Sequence, residues 1–368
     1  MILVTGATGF IGRAIVARLL AAGRPVVALA RPRDGVDAAT RVAAALGGAA
    51  DGGGLEVVAG DLGALHDTLA SADLRRLRAT VETVIHCAGD TSFTPEQLAP
   101  YRVGHVDGPA ALLRALAGGR LARWAHVSTA FVCGERVGTV HESHGQTGQR
   151  FHNVYERVKL DAETVIRNAA DETEVDVRVL RPSVVVGAAP TTAGGTPSNL
   201  FFGFIRLLAM LARWPGGAGV TLRIEAAPRA AFNIVPLDYV TAATVALAEH
   251  PDAAGGTFHL VVRDPPSQAA MLAMLLDRLG LSSVTLLDAA TEPLGTPSPL
   301  ERRVATMLQP YRAYLTQDVR FDDTRAAAVL ARCGVTPPTL TPADVRALVD
   351  LAVLQQAATP AVAVSPEE

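Results

Sequence analysis

The chain has 368 residues, 49% of them apolar, which suffices for one large α/β unit or two smaller domains around a substantial core. A formal net charge of −3 with no polybasic run excludes an electrostatic nucleic-acid binder. Cys87, Cys133 and Cys333 match no disulfide or zinc spacing, so a reducing cytoplasm and no bound metal are expected.

"MILVTGATG" enters a strand-like run at once, so no signal peptide is expected at this end. Short β-branched runs then alternate with helical patterns, the signature of a parallel sheet covered on both faces. Strands are predicted at 2–6, 25–30, 55–60, 83–89, 124–130 and 176–183, with helices at 10–22, 105–118 and 155–169. In the first helix Ile11, Ile15, Leu19 and Ala22 share a face, which the helical period assigns to the core. After Gly187, "GAAPTTAGGTPSNL" reads as a loop. The apolar stretch 199–214 follows; Arg206 and Arg213 interrupt it, so it predicts no membrane span but an acyl-pocket wall or a packing helix. Residues 231–262 return to the main body, 267–280 and 340–356 read as helices, and 357–368 as a disordered tail. The expected fold is α/β: a Rossmann-like doubly wound parallel sheet in 1–186, with return segments at about 231–262. A smaller C-terminal substrate-binding region takes 187–230 and 263–356.

"TGATGFIG" puts Gly6, Gly9 and Gly12 between the first strand and helix. Glycines there permit a tight turn and close backbone approach to a pyrophosphate, and the helix N-terminus favours the anion. Thr8, Phe10 and Ile11 complete this candidate cofactor turn. After the second strand, where an NAD site usually has an acidic residue, the chain has Arg31 and Arg33, with Arg41 further on. Guanidinium groups suit a 2′-phosphate, which favours NADPH; an ordinary solvated loop is the alternative reading.

"YERVKLDAE" contains Lys159, the single lysine in the sequence, four residues after Tyr155. At helical spacing the two side chains share a face. An ammonium there is expected to lower the phenol pKa and make Tyr155 a proton donor or acceptor at a carbonyl. "HVSTAFVCG" places Ser128 and Thr129 at the C-terminal end of a strand, where open α/β sheets bind ligands. His141, His144 and His152 match no zinc pattern and read as a polar loop. Cys133 has no identifiable base beside it, so it is not expected to act as a nucleophile.

These motifs resemble the extended short-chain dehydrogenase/reductases from residue 1 to about 265. "HCAG", "NVYERVKLDAE" and "RPSVVVG" resemble, within that superfamily, thioester reductases and fatty acyl-CoA reductases. The resemblance implies catalytic roles for Thr129, Tyr155 and Lys159, with Ser128 the neighbouring candidate. It implies an adenine contact at Asp61 and Leu62 and a cofactor lining of Cys87, Ala88, Gly89, Ser128, Pro182, Ser183 and Val184. "HVDGP" departs from the family pattern, with His105 and Pro109 in place of Asn and Thr. The implied activity is NADPH-dependent reduction of an acyl thioester, on coenzyme A or a carrier protein, to an aldehyde or alcohol. A homodimer is also implied. An aldehyde or ketone reductase of the dihydroflavonol or hydroxysteroid type, a nucleotide-sugar epimerase, and a redox sensor that binds NADP without turnover remain the competing readings.

Overall fold

A strand buried on both faces needs a near-continuous apolar run, and "ILVT", "VVALA" and "TVIH" supply one. The structure, a computed structural model, describes residues 1–187, 200–213, 221–281, 283–292 and 294–357. Its central sheet contains β1 (Ile2–Thr5), β2 (Val26–Ala30), β3 (Leu55–Ala59), β4 (Thr83–His86), β5 (Arg123–Val127), β6 (Asp176–Pro182) and β7 (Thr257–Leu260). All pairings are parallel, in the order β7-β6-β5-β4-β1-β2-β3. Leu3 sits between Val27 and Val84, and Ala125 between Ile85 and Arg178. The chain runs outward from β1 in one direction and then jumps to β4 on its other side. That reversal leaves a crevice at the carboxyl ends of β1 and β4, where such sheets take ligands.

Helices α1 (Phe10–Ala21), α2 (Gly108–Leu116), α3 (Val154–Thr173) and α4 (Leu237–Glu249) flank this sheet. Ile15, Val16 and Leu19 of α1 are buried, and the helix packs on α4. Ala22, expected on the buried face, is exposed because α1 stops one residue before it and Gly23 turns the chain at φ +68°. On the other face, Leu112, Leu113 and Leu116 of α2 and Ile166 and Ala169 of α3 enclose Trp124 of β5. Asn153 caps α3 by accepting from the Glu156 N–H at 3.0 Å, which fixes where the Tyr155–Lys159 turn begins.

Contacts divide the described residues into two units. The first takes those within Met1–Gly195, Asn233–Arg263 and Val319–Thr339; the second takes those within Thr196–Phe232, Asp264–Asp318 and Leu340–Glu368. Residues 319–339 therefore belong with the sheet and not, as expected, with the smaller region. The reason is visible in two bonds of structure. Strand Val319–Phe321 pairs in parallel with Gly138–Val140, and the Glu142 carboxylate accepts the backbone N–H groups of Arg325 and Ala326 at the start of helix Thr324–Arg332. In the second unit, helix Leu200–Arg213 buries Phe201, Phe202, Ile205 and Leu208 and packs with helices Gln268–Leu279 and Pro342–Ala357. The apolar stretch thus serves as the core of its own unit, with Met210 exposed. Most of the expected loop 187–200 and nearly all of the expected tail lie outside the described residues.

Candidate active site

In a parallel sheet the residues that follow each strand line one edge, so the segments after β1, β4, β5 and β6 meet there. The turn after β1 is built for glycine. Gly6 has φ +74°, and a Cβ on it would come within 2.7 Å of the Cys87 and Ala88 backbone. A Cβ on Gly12 would stand 2.2 Å from the Gly6 carbonyl oxygen, so only hydrogen lets α1 close on the turn. Thr8 is half-buried, and α1 begins after Gly9 with no side-chain cap and no acidic residue in its first turn. The first N–H groups of that turn, at Phe10, Ile11 and Gly12, have no intrahelical acceptor. This cradle fits a dinucleotide pyrophosphate.

At the ends of β2 and β3, Arg31 Nη1 lies 3.5 Å from Asp61 Oδ2, and Arg41 donates to the Arg31 carbonyl. Asp61 accepts from Gly63 N–H at 3.0 Å, which starts the short turn containing Leu62. Arg33 instead pairs with Asp34 at 3.3 Å, inside a tight Arg33–Val36 hairpin that holds Asp34 at φ +53°. Arg31 and Arg41 are thus brought together with Asp61, while the guanidinium of Arg33 is engaged locally.

Lys159 is buried and its Nζ donates to the carbonyl of Val127, the last residue of β5, at 2.8 Å. Gly89 borders the same amine: a Cβ there would sit 3.7 Å from Nζ. Burial pulls the Lys159 pKa down to about 8, opposed by Cys87 and Glu163. Tyr155 is half-buried, its ring 6.1 Å from that of Phe93. Burial, with Glu156 adding to it, pushes the phenol pKa above its ordinary value. The expected acidification of Tyr155 is not seen here: burial and the Glu156 carboxylate both disfavour the phenolate. Cys87 and Cys133 are likewise driven up to about 12 by burial, which leaves both as thiols.

The two hydroxyl candidates separate cleanly. Ser128 donates to Glu163 at 2.5 Å, and Glu163 is gripped by Arg181 through Nε at 3.0 Å and Nη2 at 2.6 Å. Thr129 Oγ1 accepts from Phe131 N–H at 3.3 Å and keeps its own hydrogen for another acceptor. At the end of β6, Pro182 leads to Ser183, whose Oγ is buried with no hydrogen-bond partner among the described residues, and Val184 begins the strand paired with Ile234–Pro236. An orphaned hydroxyl at the carboxyl edge of the sheet is consistent with a polar group of a bound cofactor.

Sequence reading missed the buried Glu163–Arg181 pair and the loop contacts of Asp90, Phe93 and Tyr101. His105 was singled out only as a departure from pattern. It lies in a π-helical segment, Val103–Asp107, with Nδ1 2.8 Å from Tyr101 O and Nε2 2.8 Å from Asp90 O. His141 pairs with Asp322 at 2.9 Å and His152 with Glu156 at 3.1 Å. Among the described residues no His, Cys, Asp and Glu cluster could hold a metal, and no helix is long and apolar enough to cross a membrane.

The solved terminal R domain of the myxalamid PKS-NRPS biosynthetic pathway superposes with a TM-score of 0.77 at 21% identity, covering 98% of this chain and 92% of that one. A thiolation-reductase di-domain from an archaeal non-ribosomal peptide synthetase gives 0.69 at 16% identity, covering 95% and 88%. A hybrid PKS-NRPS synthetase from Thermothelomyces thermophilus is 38% identical over 117 residues, 31% of this chain. The match spans only 3% of that synthetase's length. The family described as Male sterility protein matches residues 4–244, and the chain belongs to it.

Proposed function

We propose that the protein is an NADPH-dependent reductase of acyl thioesters, acting on an acyl group held by a carrier protein or coenzyme A. One observation supports the reading: the buried Lys159 amine bonds the last residue of β5 and borders Gly89, on the segment whose Cys87 and Ala88 backbone abuts the Gly6 turn. The male sterility family and the likeness to reductase domains of peptide and polyketide synthetases support a thioester over a free carbonyl. The paired Arg31 and Arg41 support NADPH over NADH. The substrate partner is then a phosphopantetheine-type thioester, and the cytoplasm is the compartment that fits three free thiols.

When bound, NADPH would supply hydride to the carbonyl carbon. Thr129 and Tyr155 hydrogen-bond the carbonyl oxygen, where negative charge develops. The raised phenol pKa keeps Tyr155 protonated at neutral pH, as a proton donor requires, and the growing alkoxide draws the proton across. Lys159, still an ammonium near neutrality, stabilises the phenolate left behind. The hemithioacetal expels thiol to give the aldehyde, and a second cycle at the same residues gives the alcohol.

The test is NADPH consumption with product analysis on acyl-CoA, acyl-pantetheine and free-aldehyde panels, in wild type and Tyr155→Phe. Thioester turnover lost in the variant, with cofactor binding kept, supports the proposal. Turnover of aldehydes alone would replace it with a carbonyl reductase, and tight NADPH binding with no turnover would replace it with a sensor.

A further inference from the structure

The loop after β4 carries little structure of its own: Asp90, Thr91 and Thr94 are exposed, and no strand or helix forms between Cys87 and Gln97. Its order comes from outside. Tyr101 Oη lies 3.1 Å from the Asp90 carbonyl oxygen and 2.9 Å from that of Ser92, while Ser92 N–H donates to Asp90 Oδ1 at 3.0 Å. His105 Nε2 reaches the same Asp90 oxygen at 2.8 Å, with its ring lying on Tyr101 at 4.3 Å between centroids. Phe93, at the end of this pinned stretch, rests against Tyr155.

Both ring nitrogens of His105 face backbone carbonyl oxygens, and a neutral ring has a single N–H. Burial and the Lys159 ammonium push the His105 pKa down, against the opposing pull of both carbonyls and the Asp90 carboxylate, so the ring is neutral near neutrality. Buried His86 and His126, on neighbouring strands, titrate lower still and add no counter-charge. Tyr101 O belongs to the helical run, where backbone N–H groups serve as donors, whereas Asp90 O lies in a loop and depends on side chains. The tautomer with its proton on Nε2 directs that proton at Asp90.

We infer that His105 is a positioning residue: together with Tyr101 it grips the Asp90 carbonyl, and that grip seats Phe93 on the ring of Tyr155. The inference rests on Tyr155 being the proton donor of the proposed reaction. Gly89 is part of the same device, because a Cβ on it would come within 3.0 Å of His105 Nε2.

Two near-isosteres separate the grip from mere packing. Glutamine at 105 places an amide N–H where Nε2 stands and can reach Asp90. Asparagine places its amide where Nδ1 stands and cannot, although it is the residue the wider family has there. In the ligand-free full chain, aromatic NMR with Phe93→Leu and Tyr155→Phe as assignment controls should show a Phe93–Tyr155 ring contact in wild type and His105→Gln. The contact should be lost in His105→Ala and His105→Asn. On whichever carbonyl substrate wild type reduces, kcat should fall about tenfold in the Ala and Asn variants, with NADPH affinity unchanged. The loss should not add to that of Phe93→Leu. A ring contact that survives His105→Ala, or losses that multiply with Phe93→Leu, would overturn the inference and leave the reductase reading intact. Full turnover by Tyr155→Phe would overturn the proton-donor role of Tyr155 on which the inference rests, without touching the NMR result.

Discussion

Replacing Lys159 with methionine should make the protein more stable while abolishing turnover. The amine is 6% exposed, and its pKa falls from 10.5 to about 8 on folding. At about 1.4 kcal/mol for each tenfold change in proton affinity, the charged form is destabilised by about 3 kcal/mol relative to the unfolded chain. Methionine removes that cost and fills similar space with an unbranched side chain. Against it stands the lost bond to the Val127 carbonyl, about 1 kcal/mol. The net gain is about 2 kcal/mol at neutral pH. Its pH dependence has a fixed sign. Between about 8 and 10.5 the unfolded amine holds its proton while the folded one has released it, so wild-type stability rises with pH through that window. The variant lacks that rise, so its advantage should shrink and, once the charge penalty is gone, become a deficit of about 1 kcal/mol. Urea denaturation of both proteins without cofactor, at neutral pH and at the top of the window, measures the two gaps. A variant less stable than wild type near neutrality, or a gap that does not change with pH, would refute the reasoning.

Arg31→Ala should weaken NADPH binding about tenfold while leaving NADH within about twofold, the difference between losing a phosphate partner and losing nothing specific. Calorimetric titration with both dinucleotides checks it, and equal losses would show that the guanidinium meets no 2′-phosphate. Glu142→Ala removes the acceptor for three backbone N–H groups, those of His259, Arg325 and Ala326. The expected loss is about 3 kcal/mol, centred on helix Thr324–Arg332, with Glu142→Gln between the two. Hydrogen exchange at the Arg325 and Ala326 amides reads it, and protection equal to wild type would contradict it.

The sheet was legible because parallel strands buried on both faces advertise themselves as short apolar runs between glycine turns. "ILVTG", "PVVALA" and "TVIHCAG" gave strand positions to within three residues. The Gly6–Gly12 turn, and the place of Tyr155 and Lys159 on one helix, were legible because local spacing sets them. What stayed hidden depends on partners distant in sequence. Ser128 and Thr129 are indistinguishable as neighbouring hydroxyls until Glu163, 35 positions on, is seen to take the first. Nothing in "HVSTAFVCG" announces that partner. Residues 319–339 look like a continuation of the C-terminal region, and only the pairing with Gly138–Val140 and the reach of Glu142 return them to the sheet. The helix predicted at 105–118 missed its own preceding turns, because Pro100 and Pro109 break the pattern that the π-helical segment bridges.

The reversal at Tyr155 bears on the direction of the chemistry. A phenol made acidic would stand partly ionised, ready to take a proton from an alcohol. The ligand-free site does the opposite: burial holds the phenol protonated and brings the Lys159 amine, on the same helix, down to about 8. Near neutrality the pair is a neutral donor backed by a cation, and proton delivery to an oxygen gaining negative charge is the transfer that this charge state favours. In the proposed reaction, the same burial that makes Lys159 costly to fold would leave its field little screened by water. The folding cost and, in the proposed reaction, the reductive bias therefore come from one desolvated ammonium. An arginine, with five donors and a broader head, would need more acceptors than the single Val127 carbonyl provides beside Gly89. That requirement accounts for the one lysine in a chain whose other basic residues are arginine and histidine.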